Sequence, residues 1–410
     1  MLRIEAELLI PGDGEPVANG VVVAEDATIT YSGSAAGAPD AAAEVVSTAV
    51  VMPGMWECHG HFLGSRAFDL ARLPQEPTAL RAARSARDLT NALNAGITSV
   101  REVGGLGIYL ARAVAEGIID GPTIYAAGAV LSTTGGHGDL HCYPLSWVTD
   151  FTRLDGTLRL ADGTAECMRA VREQLRAGAR VIKVCASGGV LSEVDSPIHQ
   201  QFTTSELRTV VEIAGLADRV VAAHCHGKPG IMAAIEAGVQ TIEHGSYLDE
   251  EACDAMLENG TILVPTRSII EDILKHLDDV PPYAATKLTA LAARHADAVQ
   301  TAIERGVTVA MGTDIGLTGM DLPNSWGHNG SELAHLVTLG MTPLQAIAAA
   351  TAIAPRTLGP QAPRSGKLET GYDADIVTLD ADPLADIDVL TKPDHITGVW
   401  TRGRRVKSRV

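Results

Sequence analysis

Eight times along the chain, a short β-branched run ending in Gly or a polar residue is followed by an Ala/Leu/Glu/Arg-rich stretch of helical length. This alternation restricts the fold more than any other feature. The runs are 50–62, 98–105, 123–128, 180–189, 219–227, 241–246, 261–266 and 307–314, with helices expected at 78–94, 164–177, 203–217 and 284–304. Strand-then-helix repeated over this length reads as an α/β fold of the (β/α)8 TIM-like barrel type. An open doubly wound sheet is the alternative. Against it, no GxGxxG follows the first run, and the candidate ligands below are spread over five runs. An open sheet gathers them at one switch point.

The flanks differ from the middle. Runs such as Gly20-Val21-Val22-Val23-Ala24, and Asp375-Ile376-Val377-Thr378-Leu379 near the other end, are β-prone and broken by Gly, Asp and Pro. The expected organisation is a small β-sandwich domain built from 1–55 and 360–410 around a barrel at 56–359. With 410 residues, the core needs no disulfide or metal staple. The 32 basic against 50 acidic residues, a net charge of −18, and only 4% aromatic content argue against a nucleic-acid partner. No run of about 18 apolar residues suggests a membrane span. Glu5 and Glu7 stand where a signal peptide turns from basic to apolar, and the six cysteines form no CxxC pair, so a cytoplasmic chain with free thiols is expected.

Residues able to ligate metal sit at the C-terminal ends of the runs, where a barrel places its active site. His59-Gly60-His61 puts two imidazoles on one strand face by the period of two. Lys183 lies within the apolar run Val181-Ile182-Lys183-Val184-Cys185, and His224-Cys225-His226, Glu243-His244-Gly245 and Thr313-Asp314 end later runs. Each signal alone has an ordinary reading: a hydrogen-bonded histidine, a snorkelling lysine, an aspartate that caps a helix. Their joint occurrence at separate strand ends is hard to reach by chance.

The segment Met52-Pro53-Gly54-Met55-Trp56-Glu57-Cys58-His59-Gly60-His61-Phe62 resembles the first-strand signature of the amidohydrolase superfamily, and Lys183, His224, His244 and Asp314 follow in its order. Gly135-Gly136-His137-Gly138-Asp139, Ala186-Ser187-Gly188-Gly189-Val190, Ile242-Glu243-His244-Gly245-Ser246 and the 366–376 segment are similar to the imidazolonepropionase/prolidase-like branch. Two departures are Glu57, where an Asp is usual, and Gly60, which would widen the floor of the site. The resemblance implies two divalent ions, Zn²⁺ suiting the ligands best with Mn²⁺ or Co²⁺ as alternatives. By the same analogy Lys183 is carboxylated and bridges the pair. His59, His61, Lys183 and Asp314 hold the more buried ion, and Lys183, His224 and His244 the more exposed one.

That resemblance further implies a binuclear hydrolase in which a metal-bridging hydroxide attacks an amide-like carbonyl, Asp314 shuttles the proton, and His137 donates to the oxyanion. Contacts to substrate are expected at His226, which could equally pack at the rim, at Tyr247, and at Trp326 and His328 in the Gly/Pro-punctuated 321–329 loop. The expected small-molecule substrate is an Xaa-Pro-type dipeptide or an N-acyl or N-aroyl amino acid. Carbamates, ureas, cyclic amides or deamination on the same scaffold are the alternatives. A non-catalytic scaffold protein would be expected to have lost ligands. Homo-oligomeric assembly is expected by analogy with relatives.

Overall fold

The computed structural model describes residues 1–40 and 44–408. Strands from both flanks share one seven-stranded sheet. Its order is Arg404–Ser408, Ile396–Thr401, Ile376–Leu379, Glu44–Pro53, Leu2–Leu9, Val17–Glu25, Thr28–Ser34. Leu2–Leu9 runs parallel to Glu44–Pro53, and the other neighbours are antiparallel. The period of two decides its faces: Leu2, Ile4 and Ala6 are buried with Val22, Ile29, Val51 and Trp400, while Glu5 and Glu7 are exposed.

The middle of the chain forms two parallel sheets. One holds Ile315–Leu317, Met55–Ser65, Ile97–Glu102 and Thr123–Ala126. The other holds Ile262–Val264, Thr241–His244, Val221–Cys225, Ile182–Cys185, Val130–Ser132 and Leu158–Leu160. Parallel neighbours cannot be joined by a hairpin and need crossovers. Helices Thr78–Asn94, Gly163–Ala177, Thr204–Gly215, Lys228–Ala237, Glu250–Asn259 and Pro282–Glu304 lie between strands along the chain. The Thr204–Gly215 helix starts at a capping box, in which Thr203 and Glu206 satisfy each other's backbone N–H. Backbone bonds link the two sheets on both sides. Ala310 N donates to Leu263 O at 2.9 Å and Cys58 N to Met311 O at 3.0 Å, while Arg180 N donates to Ala126 O at 2.8 Å.

Three details differ from the reading of the sequence. The 50–62 run is two strands in two sheets, divided at Gly54, whose N–H bonds Asp375 O. A Cβ there would lie 2.2 Å from Thr98 Oγ1, so only glycine allows the crossing. The 307–314 run contributes an isolated bridge, Leu263 to Val309, rather than a regular strand, and the chain turns left-handed at Asp314. Val130–Ser132 and Leu158–Leu160 were not anticipated, because three residues carry no measurable period.

Candidate metal centre and its cleft

His59 and His61 share the cleft-facing side of the Met55–Ser65 strand, with ring centroids 5.3 Å apart. His61 Nε2 lies 3.0 Å from Asp314 Oδ1, and His59 Nε2 lies 3.5 Å from the same oxygen and 3.2 Å from Lys183 Nζ. His59, His244 and Asp314 offer ligand atoms within 4.8 Å of one another, and so do His224, His226 and His244. His244 belongs to both groups. The structure therefore brings together all six predicted ligands, and adds His226 to the histidine cluster.

The rings are oriented by what their other nitrogen touches. Nδ1 of His59 meets Glu243 Oε2 at 2.6 Å, that of His61 meets Gly104 O at 2.8 Å, and those of His226 and His244 meet Ser246 Oγ and Thr266 Oγ1, each at 2.7 Å. Each of these four rings keeps Nε2 for the interior. His224 is reversed: its Nε2 meets Gly188 O at 3.1 Å, which leaves Nδ1. Backbone strain concentrates here as well. His244, Thr266 and Asp314 adopt left-handed φ of 70°, 56° and 58°, which a non-glycine residue holds only where its surroundings demand it.

Electrostatics favour ligand-ready protonation states. Burial and the neighbouring Lys183 push His59 down to about 4, burial pushes His137 to about 4, and burial with the neighbouring His137 pushes His226 to about 3. His224 and His244 are lowered well below the usual histidine range by burial and by the neighbouring rings. His61 is the exception: burial opposes its charge, but the Asp314 carboxylate on its ring raises it. Burial lowers Lys183. Burial would raise Asp314, yet His59, His61 and Lys183 hold it down at about 2. The imidazoles of His59, His224 and His244 held neutral, a destabilised ammonium and an ionised carboxylate are a donor set that fits divalent cations of the Zn²⁺ type.

The centre forms one wall of an open cleft of ≈ 880 Å³, solvent at its mouth included. Leu63, Phe68, Leu70, Leu73, Leu191 and Leu317 line it too. His137 also reaches this cleft, its ring stacked on His224 at 4.3 Å and its Nδ1 2.9 Å from Ser192 Oγ.

Trp326, Tyr247 and His328 are not among the residues that line the cleft. Trp326 is fully buried, stacked on Phe62 at 4.2 Å, with its Nε1 donating to His61 O at 3.1 Å. It occupies the space that Gly60 leaves: a Cβ at Gly60 would lie 2.6 Å from its ring. Gly60 thus admits Trp326 to the core instead of widening the site. Tyr247 packs beside the Ile269, Ile270 and Ile273 cluster, and His328 Nδ1 sits 3.4 Å from Ser325 Oγ. Glu57 is structural, accepting from His59 N, Thr313 N and Oγ1, and Asn329 Nδ2.

Two further side chains shape the centre: Glu243, quoted in the sequence motif without a role, and Arg101, which the sequence reading did not single out. Glu243, fully buried, orients His59 and is itself held by Arg101 Nη2, at 2.8 Å from each oxygen. Arg101 also donates to Thr241 Oγ1 and Cys58 O. Their available signal was the presence of ionisable residues inside strands buried on both faces.

The Amidohydrolase family profile matches residues 50–406. Ochratoxinase of Aspergillus niger is 44% identical over 98% of this chain and 86% of its own length. Its crystal structure superposes with a TM-score of 0.95 at 43% identity, covering 100% of this chain and 96% of that one. A prolidase complexed with N-methylphosphonate-L-proline gives a TM-score of 0.90 at 31% identity, with both chains covered completely. An Xaa-Pro dipeptidase with bound methionine gives 0.88 at 30% identity, covering 99% of this chain and 100% of that one.

Proposed function

This chain belongs to the amidohydrolase family and is a hydrolase of carbon–nitrogen bonds, and from that premise we propose that it cleaves the amide of N-acyl or N-aroyl amino acids. The observation that carries this reading is the apolar wall of the cleft, Leu63, Phe68, Leu70, Leu73, Leu191 and Leu317, facing the ligand cluster. A free dipeptide brings an ammonium. Among the described residues lining the cleft, Asp314 is the one carboxylate, and it is engaged with His61. A bulky uncharged acyl group instead gains by shedding water against the leucines, at about 25 cal/mol per Å² of apolar surface.

His59, His61, Lys183 and Asp314 would hold one divalent ion, and Lys183, His224 and His244 a second, with His226 in reach. Lys183, lowered by burial, is suited to carboxylation as their bridge. Such ions supply Lewis-acid polarisation of a carbonyl and acidify water. The chain's own residues do the rest. Asp314, held ionised by its three basic neighbours, accepts a proton at its carboxylate and returns it to the departing nitrogen. In the tautomer that carries its proton on Nε2, with Nδ1 accepting from Ser192 Oγ–H, neutral His137 would donate a hydrogen bond to the developing oxyanion. The same reading takes the two parallel sheets as one closed (β/α)8 barrel over 56–359, with 1–55 and 360–410 as the small β-sandwich domain. The backbone bonds linking the sheets at both sides support it.

The test is amine release by Zn²⁺-loaded protein prepared with bicarbonate, across N-acyl and N-aroyl amino acids, Xaa-Pro and other dipeptides, carbamates and ureas. N-aroyl-phenylalanine should exceed Xaa-Pro dipeptides in kcat/KM by about tenfold or more, the value of a few buried methylenes. Preference for Xaa-Pro would overturn the substrate reading and favour the activity in the names of the two peptidase structures.

A further inference from the structure

We propose that Lys287 is a positioning residue for amide hydrolysis, clamping the segment that fixes His137 at the cleft. This rests on the reading of His137 as oxyanion donor. Lys287 lies on the Pro282–Glu304 helix, and its side chain is only 17% exposed. Its Nζ donates to three backbone carbonyls of one loop, Gly189 at 3.2 Å, Ser192 at 2.6 Å and Asp195 at 2.5 Å, with Asp195 Oδ1 at 3.5 Å. An ammonium has three protons and no acceptor, so three converging carbonyls use it completely.

The clamped loop is coupled to His137 at several points. Ser192 Oγ bonds the ring's Nδ1. Gly189 lies flat against that ring, so close that a Cβ would meet it at 2.1 Å. Asp195 Oδ2 accepts from Gly189 N and from Gln201 Nε2, while Gln201 Oε1 accepts from His137 N. A shift of the carbonyls around Lys287 must therefore move the ring. The same loop carries Leu191 into the cleft, where a substrate would feel its displacement. No neutral side chain can satisfy three carbonyls at once, and the longer, forked guanidinium of arginine has a different geometry.

The experiment is a double-variant cycle with Lys287→Met and His137→Ala on the metal-loaded enzyme, combined with metal content and hydrogen exchange. Lys287→Met should lower kcat about 10- to 100-fold, the usual cost of removing an orienting partner. KM should change less, the metal content should hold, and exchange should rise in peptides covering 186–201. In the His137→Ala background the same change should cost little more, since its effect passes through the missing ring. Losses that multiply, or metal lost in step with activity, would overturn the clamp. A crippled His137→Ala beside a fully active Lys287→Met would do so too, whereas a fully active His137→Ala sinks the clamp together with the oxyanion role of His137 and leaves the amide-hydrolase reading standing. If Lys287→Met does not fold, Lys287→Arg, which keeps the charge but not the three-carbonyl geometry, takes its place in the cycle, with the same non-additivity expected.

Discussion

Glu243 decides how His59 can act. Burying a carboxylate is costly unless it is paired, and Arg101 Nη2 reaches both of its oxygens at 2.8 Å, Thr241 Oγ1 donates to Oε1, and His59 Nδ1 meets Oε2 at 2.6 Å. Glu243 accordingly stays ionised: burial would raise it, but Arg101 and His59 pull it well down. The carboxylate thus fixes the proton of His59 on Nδ1 and frees Nε2 for a cation. Glu243→Gln keeps the shape and removes the charge, so Zn²⁺ affinity should weaken about 10- to 100-fold, measured by competition with a chromogenic chelator. Unchanged affinity would make Glu243 a packing residue. His59, His61, Lys183, His224, His244 and Asp314 were legible because ligand chemistry recurs at strand ends. Arg101 and Lys287 were not: their roles depend on partners 142 and 92 or more positions away.

The first strand of the parallel sheets owes its course to two glycines. Gly54 lets the chain pass beside Thr98 into a second sheet, and Gly60 leaves room for the Trp326 ring between it and Phe62. Overpacking a filled core forces side chains off their preferred rotamers. Gly60→Ala should therefore cost about 1–3 kcal/mol, seen as a lower urea midpoint, and should disturb His61 through the bond from Trp326 Nε1 to His61 O. A midpoint equal to that of the parent would show that the ring moves freely. Elements with a long period were legible: the 78–94 helix has the predicted bounds, and the 284–304 helix starts only two residues earlier, at Pro282. The glycine break at residue 54 was not, because the runs on either side of it are equally apolar and extended.

Across the whole molecule, burial leaves acids outside the candidate ligand set reluctant to ionise. Asp88 and Glu332 are both buried, and burial raises each to about 7 despite hydrogen bonds from Thr318 and from Ser268. An unfolded chain releases these protons near pH 4. Between about pH 4 and 7 the folded state therefore binds more protons, and stability falls as pH rises through that window. Asp88→Asn should flatten that decline in Tm between pH 5 and 7.5. A slope identical to that of the parent would show that Asp88 ionises normally when folded. Net charge and composition narrowed the partner classes but said nothing of such buried acids, which depend on three-dimensional packing. Among the described residues no helix is long and apolar enough to cross a membrane.

The seven-stranded sheet sets a timetable for synthesis. Glu44–Pro53 lies between Leu2–Leu9, made just before it, and Ile376–Leu379, made more than three hundred residues later. At about 5–20 residues per second, the ribosome takes on the order of half a minute to deliver that second neighbour. Throughout that interval a strand rich in valine presents a bare hydrogen-bonding edge, the kind of edge that captures other chains. The nascent protein therefore passes through a window of vulnerability that its finished form conceals, and shielding by a chaperone matters most while the catalytic body is still being made.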